Sequence, residues 1–172
     1  MTRIAPFLAS LALLPALAMP MAPTPEPLPL PVMIPRVVTW AEALASRALK
    51  AGTAPTPELQ AIAREVGVKS PRSIRIWLVD AIPLPDEPLL KAAALKAGIS
   101  SERAGAMTLG YAVLLRRGEE GDLRLLRHEL RHVAQYEQAG GIGPFLAIHL
   151  PQLSRYGYED SPFERDARRH ER

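Results

Sequence analysis

The stretch LLRHELRHVAQYEQ, residues 125–138, concentrates two histidines and a glutamate in a chain that has only four histidines. On a helix, His128 and His132 are one turn apart and project from the same face, with Cβ atoms about 5–6 Å apart. Two imidazoles at that spacing can bind one metal ion at about 2.0–2.1 Å each. Glu129 lies about 100° around the helix, from where it can reach a water on the open side of the metal.

This is the H-E-x-x-H pattern, in which zinc (Zn2+) lowers the pKa of its water toward about 7 and the glutamate accepts the proton. The pattern therefore predicts a catalytic metal site. The alternative is an amphipathic helix whose histidines are partly buried and hydrogen-bonded without any metal.

A catalytic zinc site needs a third protein ligand. The metzincin pattern H-E-x-x-H-x-x-G-x-x-H is excluded, because it requires glycine and histidine where this chain has Gln135 and Gln138. Cysteine is absent from the chain, so the third ligand must be a carboxylate or a histidine farther along. The candidates are Glu137, His149, Glu159, Asp160, Glu164 and Asp166.

Two further stretches extend the pattern, HELRHVAQYEQAGGIGPFL at 128–146 and YGYEDSPFERDA at 156–167. Together they resemble a group of short, largely uncharacterised bacterial H-E-x-x-H proteins of the gluzincin zinc metallopeptidase type. The resemblance implies that His128 and His132 bind zinc, that Glu129 is the catalytic base and that Glu164 is the third ligand. Tyr158 resembles the tyrosine of the family's G-Y pair, which suggests a hydrogen-bond donor to a developing oxyanion.

Several of these residues have a second interpretation. SPFE, residues 161–164, is also a capping box in which Glu164 would bond the backbone of Ser161. If Glu164 binds metal instead, Ser161 alone must cap that helix. An ordinary core or surface aromatic is the favoured interpretation of Tyr158, whereas Gln135 could support a ligand or simply pack between helices.

Other polar residues of the same region carry weaker expectations. His149 is expected to be an ordinary helix histidine, and Asp160 and Asp166 are possible partners of a ligand imidazole that no spacing selects. The arginines of the histidine helix, Arg127 and Arg131, and the tail RDARRHER are expected to form solvated faces and helix-dipole partners.

The first residues look like a secretory signal peptide. MTRIAPFLASLALLPALAMPMA has a basic start, an apolar run and small residues at Ala16 and Ala18, which predicts cleavage after Ala18. The alternative is an uncleaved anchor or an apolar N-terminal helix, although prolines interrupt the run and it is short for a membrane span. Residues 19–38 contain seven of the 18 prolines, which predicts an extended linker before a zincin-like metallopeptidase domain at 39–172.

The periodicity of apolar residues, with proline and glycine at the ends of the periodic segments, predicts the order of helices and strands in that domain. Helices are predicted at 39–50, 57–66, 86–98, 122–139, 144–155 and 162–169, and strands at 73–80 and 106–118. This order predicts an α+β fold, in which a sheet of two or three strands packs against a mainly helical half that carries the H-E-x-x-H helix.

Composition narrows the possible partners. The net charge is +3 with only 5% aromatic residues, and the basic residues are scattered, so nucleic-acid binding is not expected. The leading hypothesis is an exported zinc-dependent hydrolase, periplasmic or secreted, that acts on a peptide or protein substrate and meets a membrane only through its signal segment. A non-catalytic, zinc-stabilised binding module and a metal-free helical scaffold are the alternatives. The sequence leaves cleavage preference and oligomeric state open.

Overall fold

The computed structural model describes residues 28–99 and 104–172. Within these ranges the chain forms helices and short strands in the order α1 Leu30–Ala51, α2 Pro57–Glu65, β1 Arg75–Val79, α3 Pro88–Lys96, β2 Ala106–Leu109, β3 Ala112–Arg116, α4 Leu123–Ala139, α5 Ile142–Asp160 and α6 Pro162–Arg169. The proposed signal peptide, residues 1–18, and the first part of the proposed linker, residues 19–27, lie outside the described residues.

The three described strands form one sheet in the order β1-β3-β2. The central strand, β3, pairs in parallel with β1 and antiparallel with β2, which lies at an edge. The predicted α+β fold with a small sheet against a mainly helical half is therefore confirmed.

Helices cover both faces of this sheet. Side chains alternate along a strand, so neighbouring residues of β3 face opposite sides. Ala112 and Leu114 pack into a buried cluster with α1 and α5, whereas Val113 packs into a second cluster with α2 and α4. The sheet thus holds α4, which carries the two histidines, in a fixed position relative to α1 and α5.

The first helix begins earlier than the sequence predicted. The sequence predicts an extended linker up to residue 38 and a helix from residue 39, but α1 begins at Leu30. Pro31 is tolerated in the first turn, while Pro35 removes one backbone donor from the helix. Burial explains the difference, because the apolar face that contains Ala41 and Leu44 packs into the core and the side chains of residues 37 and 38 pack against it.

The second predicted strand, residues 106–118, is a hairpin of two strands instead. Gly110 adopts a left-handed conformation with φ of +63° and lets the chain reverse between β2 and β3. A glycine in the middle of an apolar run was the available signal for this turn. The reversal places β2 at the edge of the sheet and beside α4.

Helix α4 begins and ends as its sequence predicts. The Asp122 side chain accepts a hydrogen bond from the Leu125 amide, and Gly140 closes the helix in a left-handed conformation with φ of +91°. Helix α5 follows at once and is interrupted at Gly157, whose backbone is not helical. Among the described residues, no helix combines the length and apolar character that crossing a membrane requires.

Candidate metal centre

His128 and His132 lie on one face of α4, as their spacing predicts. Their Nε2 atoms are 3.0 Å apart. Exposure of the two residues is 9% and 7%, so both imidazoles lie in the protein interior. The two rings are nearly perpendicular rather than stacked, and their Nε2 atoms face each other.

Glu164, in the first turn of α6, faces the same point. Its Oε2 atom is 3.3 Å from Nε2 of His128 and its Oε1 atom is 3.4 Å from Nε2 of His132. Ligands bound tetrahedrally at about 2.0–2.1 Å are about 3.3 Å from each other, so all three separations suit a single ion. His128, His132 and Glu164 therefore form a group that could hold a metal ion.

Glu164 is free for this position because Ser161 caps α6. The Ser161 hydroxyl accepts a hydrogen bond from the Glu164 amide, while the Ser161 amide donates to the Tyr158 carbonyl. The Glu164 carboxylate is only 2% exposed, and its Oε2 atom has no hydrogen-bond partner among the described residues. A buried carboxylate oxygen that lies against an imidazole nitrogen without a well-formed hydrogen bond fits a metal ligand.

The outer nitrogen of His132 is fixed by Gln135. Nδ1 of His132 lies 2.8 Å from Gln135 Oε1, while Gln135 Nε2 donates to the Phe163 carbonyl and to Asp166. Because both of those partners only accept, the amide orientation of Gln135 is determined and its oxygen must face His132. Nδ1 of His132 therefore carries a hydrogen, which leaves Nε2 as the nitrogen that could bind a metal ion once its own proton is displaced. Gln135 therefore contacts the imidazole of His132, as the first of the two roles considered for it requires.

The outer nitrogen of His128 meets a residue that the sequence did not single out. Nδ1 of His128 lies 3.1 Å from Glu171 Oε1, and Glu171 also forms an ion pair with Arg124. The expectation that the whole tail forms solvated faces is therefore wrong at Glu171. It is also wrong for Arg131, which donates to Asp166 at 2.7 Å.

The Glu164 carboxylate favours positive charge on the two neighbouring imidazoles. Burial lowers the pKa of His132, but the hydrogen bond and charge of Glu164 outweigh it and raise the value to about 9. The pKa of His128 is raised by the same carboxylate against the effect of burial. Burial would raise the pKa of Glu164, but the two imidazoles hold it well below its usual range. A bound cation would stabilise the same three side chains as these protons do.

Glu129 lies beside the group but not in it. It is buried, and its Oε2 atom accepts a hydrogen bond from the Thr108 hydroxyl at 2.7 Å. Thr108 also donates toward the Glu129 backbone carbonyl at 3.2 Å. The edge strand β2 thus orients the Glu129 side chain, a contact that no spacing in the sequence indicated.

The remaining candidates have other positions. Glu137 is occupied elsewhere, since it accepts from the amides of residues 69 and 70 and from the Tyr111 hydroxyl. His149 reaches the edge of the group, with Nε2 3.6 Å from Glu164 Oε1, and burial lowers its pKa to about 4. Glu159 pairs with Arg168 at an exposed position.

Tyr158 follows the break in α5 at Gly157 and is 37% exposed, beside the cleft. Partial burial and the nearby carboxylates of Glu164 and Glu129 raise its pKa. The phenol therefore stays protonated at neutral pH and can donate a hydrogen bond.

A cleft of about 530 Å3 opens at the three residues. This volume is in the usual range of small-molecule and peptide side-chain sites. One part of its lining comes from the start of α4 and from α6 and is charged. The other part is apolar and comes from α1, β2 and α5, with the side chains of Val37, Trp40, Met107, Leu146 and Leu150.

The chain is similar over part of its length to a known family. A family model described as the eCIS core domain, a family associated with extracellular contractile injection systems, matches residues 91–140. The match includes the hairpin and α4 with His128, Glu129 and His132, but it ends before Glu164. No curated protein and no solved structure matches the chain.

Proposed function

We propose that this protein is an exported zinc-dependent hydrolase, a small metallopeptidase of the gluzincin type. The observation that carries the proposal is the pairing of two sets of residues. His128, His132 and Glu164 can hold one ion, while Glu129 stands beside them, outside the group, with its carboxylate held by Thr108. A set of two imidazoles and one carboxylate is a ligand set of catalytic zinc sites.

Each residue then has a distinct task. When bound, zinc supplies Lewis acidity toward a water and toward the substrate carbonyl. Glu129 accepts the proton of the attacking water and delivers it to the leaving amine. Tyr158 donates a hydrogen bond to the oxygen on which negative charge develops. The edge position of β2 supports an extended peptide as the substrate, because a free strand edge can pair with one.

The test of this proposal is Glu129→Gln, which keeps the size of the side chain and removes the base. We expect hydrolysis of a fluorescence-quenched peptide library to fall about 10²–10⁴-fold. Zinc content and melting temperature should stay at the wild-type values. Glu65→Gln is the matched control and should retain full activity, because Glu65 lies at the end of α2 and forms an exposed ion pair with Arg127 of α4.

Either of two results would overturn the proposed mechanism. Loss of zinc in Glu129→Gln would mean that Glu129 is itself a ligand. Hydrolysis at the wild-type rate in that variant would mean that it is not the base.

The alternative of a non-catalytic, zinc-stabilised binding module is favoured by one observation. The ligands come from two helices, α4 and α6, which a metal would cross-link. Such a module gains stability from zinc but has no use for a base beside its first histidine. Retained zinc with no hydrolysis in the wild-type protein would favour this alternative.

Export rests on the N-terminal sequence alone. We propose cleavage after Ala18, which would give mature protein that begins at Met19. Mass spectrometry of protein collected outside the cytoplasm of an expressing bacterium tests this. A chain that still begins at Met1 would contradict it.

A further inference from the structure

Two chains of polar contacts support the two histidines from outside. His132 is backed by the neutral amide of Gln135, which Asp166 holds. His128 is backed directly by a carboxylate, that of Glu171, which Arg124 holds. The two imidazoles therefore have unlike partners, one neutral and one charged.

The contact with Glu171 decides which nitrogen of His128 carries the hydrogen. An ionised carboxylate only accepts hydrogen bonds, so Nδ1 of His128 must be the donor. Arg124 forms an ion pair with the same carboxylate, as expected of an ionised Glu171. With the hydrogen on Nδ1, the lone pair of Nε2 faces the Glu164 carboxylate and His132. Nε2 of both imidazoles and the Glu164 carboxylate can then bind one cation together.

We propose that Glu171 is a positioning residue, which fixes the tautomer and the ring orientation of His128 so that Nε2 binds the metal. The inference rests on the metal site of the proposed function and extends it to a residue outside the ligand set. A charged acceptor forms a stronger hydrogen bond than a neutral amide. It also makes the imidazole more basic, which strengthens the bond to a metal.

The experiment measures metal affinity, so that it does not depend on finding a substrate. Zinc dissociation constants are determined by chelator competition for the wild-type protein, Glu171→Ala, Glu171→Gln and the control Glu65→Gln. Glu65 pairs with an arginine of α4, as Glu171 does, but it does not contact either histidine. The visible absorption spectrum of the cobalt-loaded proteins reports the geometry of the site independently.

We expect Glu171→Ala to bind zinc about 10–100-fold more weakly than wild type. Glu171→Gln should lie between the two, because its amide oxygen still accepts the Nδ1 hydrogen. The cobalt spectrum should change in Glu171→Ala and stay unchanged in Glu65→Gln.

The possible outcomes separate this inference from the function it rests on. If wild type binds zinc and Glu171→Ala binds it within about threefold as tightly, the positioning role is wrong and the metal site stands. An altered melting temperature of the metal-free variant with an unchanged cobalt spectrum also overturns the positioning role. Glu171 would then contribute only to the stability of the fold. If the wild type binds neither zinc nor cobalt, the proposed function and this inference fail together.

Discussion

The hydroxyl of Thr108 donates to the Glu129 carboxylate at 2.7 Å and sets the direction in which that carboxylate faces. Thr108→Val keeps the shape of the side chain and removes the donor. Since hydrogen bonds to charged groups contribute about 1.5–3 kcal/mol, we expect peptide hydrolysis to fall about 10–100-fold. Zinc content should not change. Thr39→Val, at an exposed position of α1, is the control, and equal activity of the two variants would contradict the role of Thr108.

The raised pKa of His132 makes the stability of the metal-free protein depend on pH. In the unfolded chain the value is about 6.5, and in the folded protein Glu164 raises it to about 9. The stabilisation is therefore complete below about pH 6.5 and is lost as the pH rises through 9. Urea unfolding in the presence of a chelator should show a loss of up to roughly 3 kcal/mol between pH 6.5 and 9.5.

Two measurements accompany this pH series. His132→Gln should remove most of the dependence, because the titrating group is gone. Zinc affinity should show the opposite trend and rise with pH, because protons and metal compete for the same nitrogens. Metal-free stability that is equal at pH 6.5 and 9.5 would contradict the assignment.

Single residues differ in how far the sequence predicts them. The pair His128 and His132 follows from helical spacing, because both side chains belong to one element. Glu164 was selected by a resemblance, and its position beside the pair depends on the path of α5 and α6. Thr108 and Glu171 left no signal, since each meets its partner across a distance in the chain that has no fixed spacing.

At the scale of elements, Glu137 attaches the end of α4 to the chain before β1. Its carboxylate accepts from the Lys69 and Ser70 amides at 2.7 and 2.9 Å and from the Tyr111 hydroxyl at 2.8 Å. Glu137→Ala leaves these three donors without their acceptor. We expect the free energy of unfolding to fall by roughly 2–4 kcal/mol, measured by urea denaturation.

Tyr111→Phe removes one of these three contacts and serves as the graded control for Glu137→Ala. Its expected cost is about 1 kcal/mol, because only one neutral donor is lost. An equal loss in the two variants would mean that the backbone contacts of Glu137 contribute nothing.

Local signals predicted the elements whose ends are set by local chemistry. Thr56 caps α2, Asp122 caps α4 and Ser161 caps α6. Each side chain accepts a hydrogen bond from a backbone amide in the first turn of its helix. The start of α1 was missed, because proline content argues for an extended chain while burial against the sheet stabilises a helix. The hairpin was missed because apolar residues on both sides of Gly110 hide the turn.

At the scale of the whole molecule, α1, β2 and α5 together give the cleft an apolar wall. Leu150 is a half-buried part of it, whereas Ile148, two residues earlier on α5, is 47% exposed. We expect Leu150→Asp to lower the hydrolysis of peptides with leucine or phenylalanine beside the cleaved bond by more than about tenfold. Ile148→Asp adds the same charge outside the wall and should act like wild type. Equal rates in the two variants would show that the wall does not contact the substrate.

The separation of His132 and Glu164 along the chain has a practical consequence. The two are 3.4 Å apart in space, yet the segment 161–171 alone supplies Glu164 together with Asp166 and Glu171. One short C-terminal segment therefore carries the third candidate ligand and two residues that contact the surroundings of the histidines. If the proposed metal site is correct, a protein shortened before this segment should bind no zinc, and a synthetic peptide of the same residues, added back, should restore zinc binding. Fragment complementation can thus be followed simply by counting bound metal.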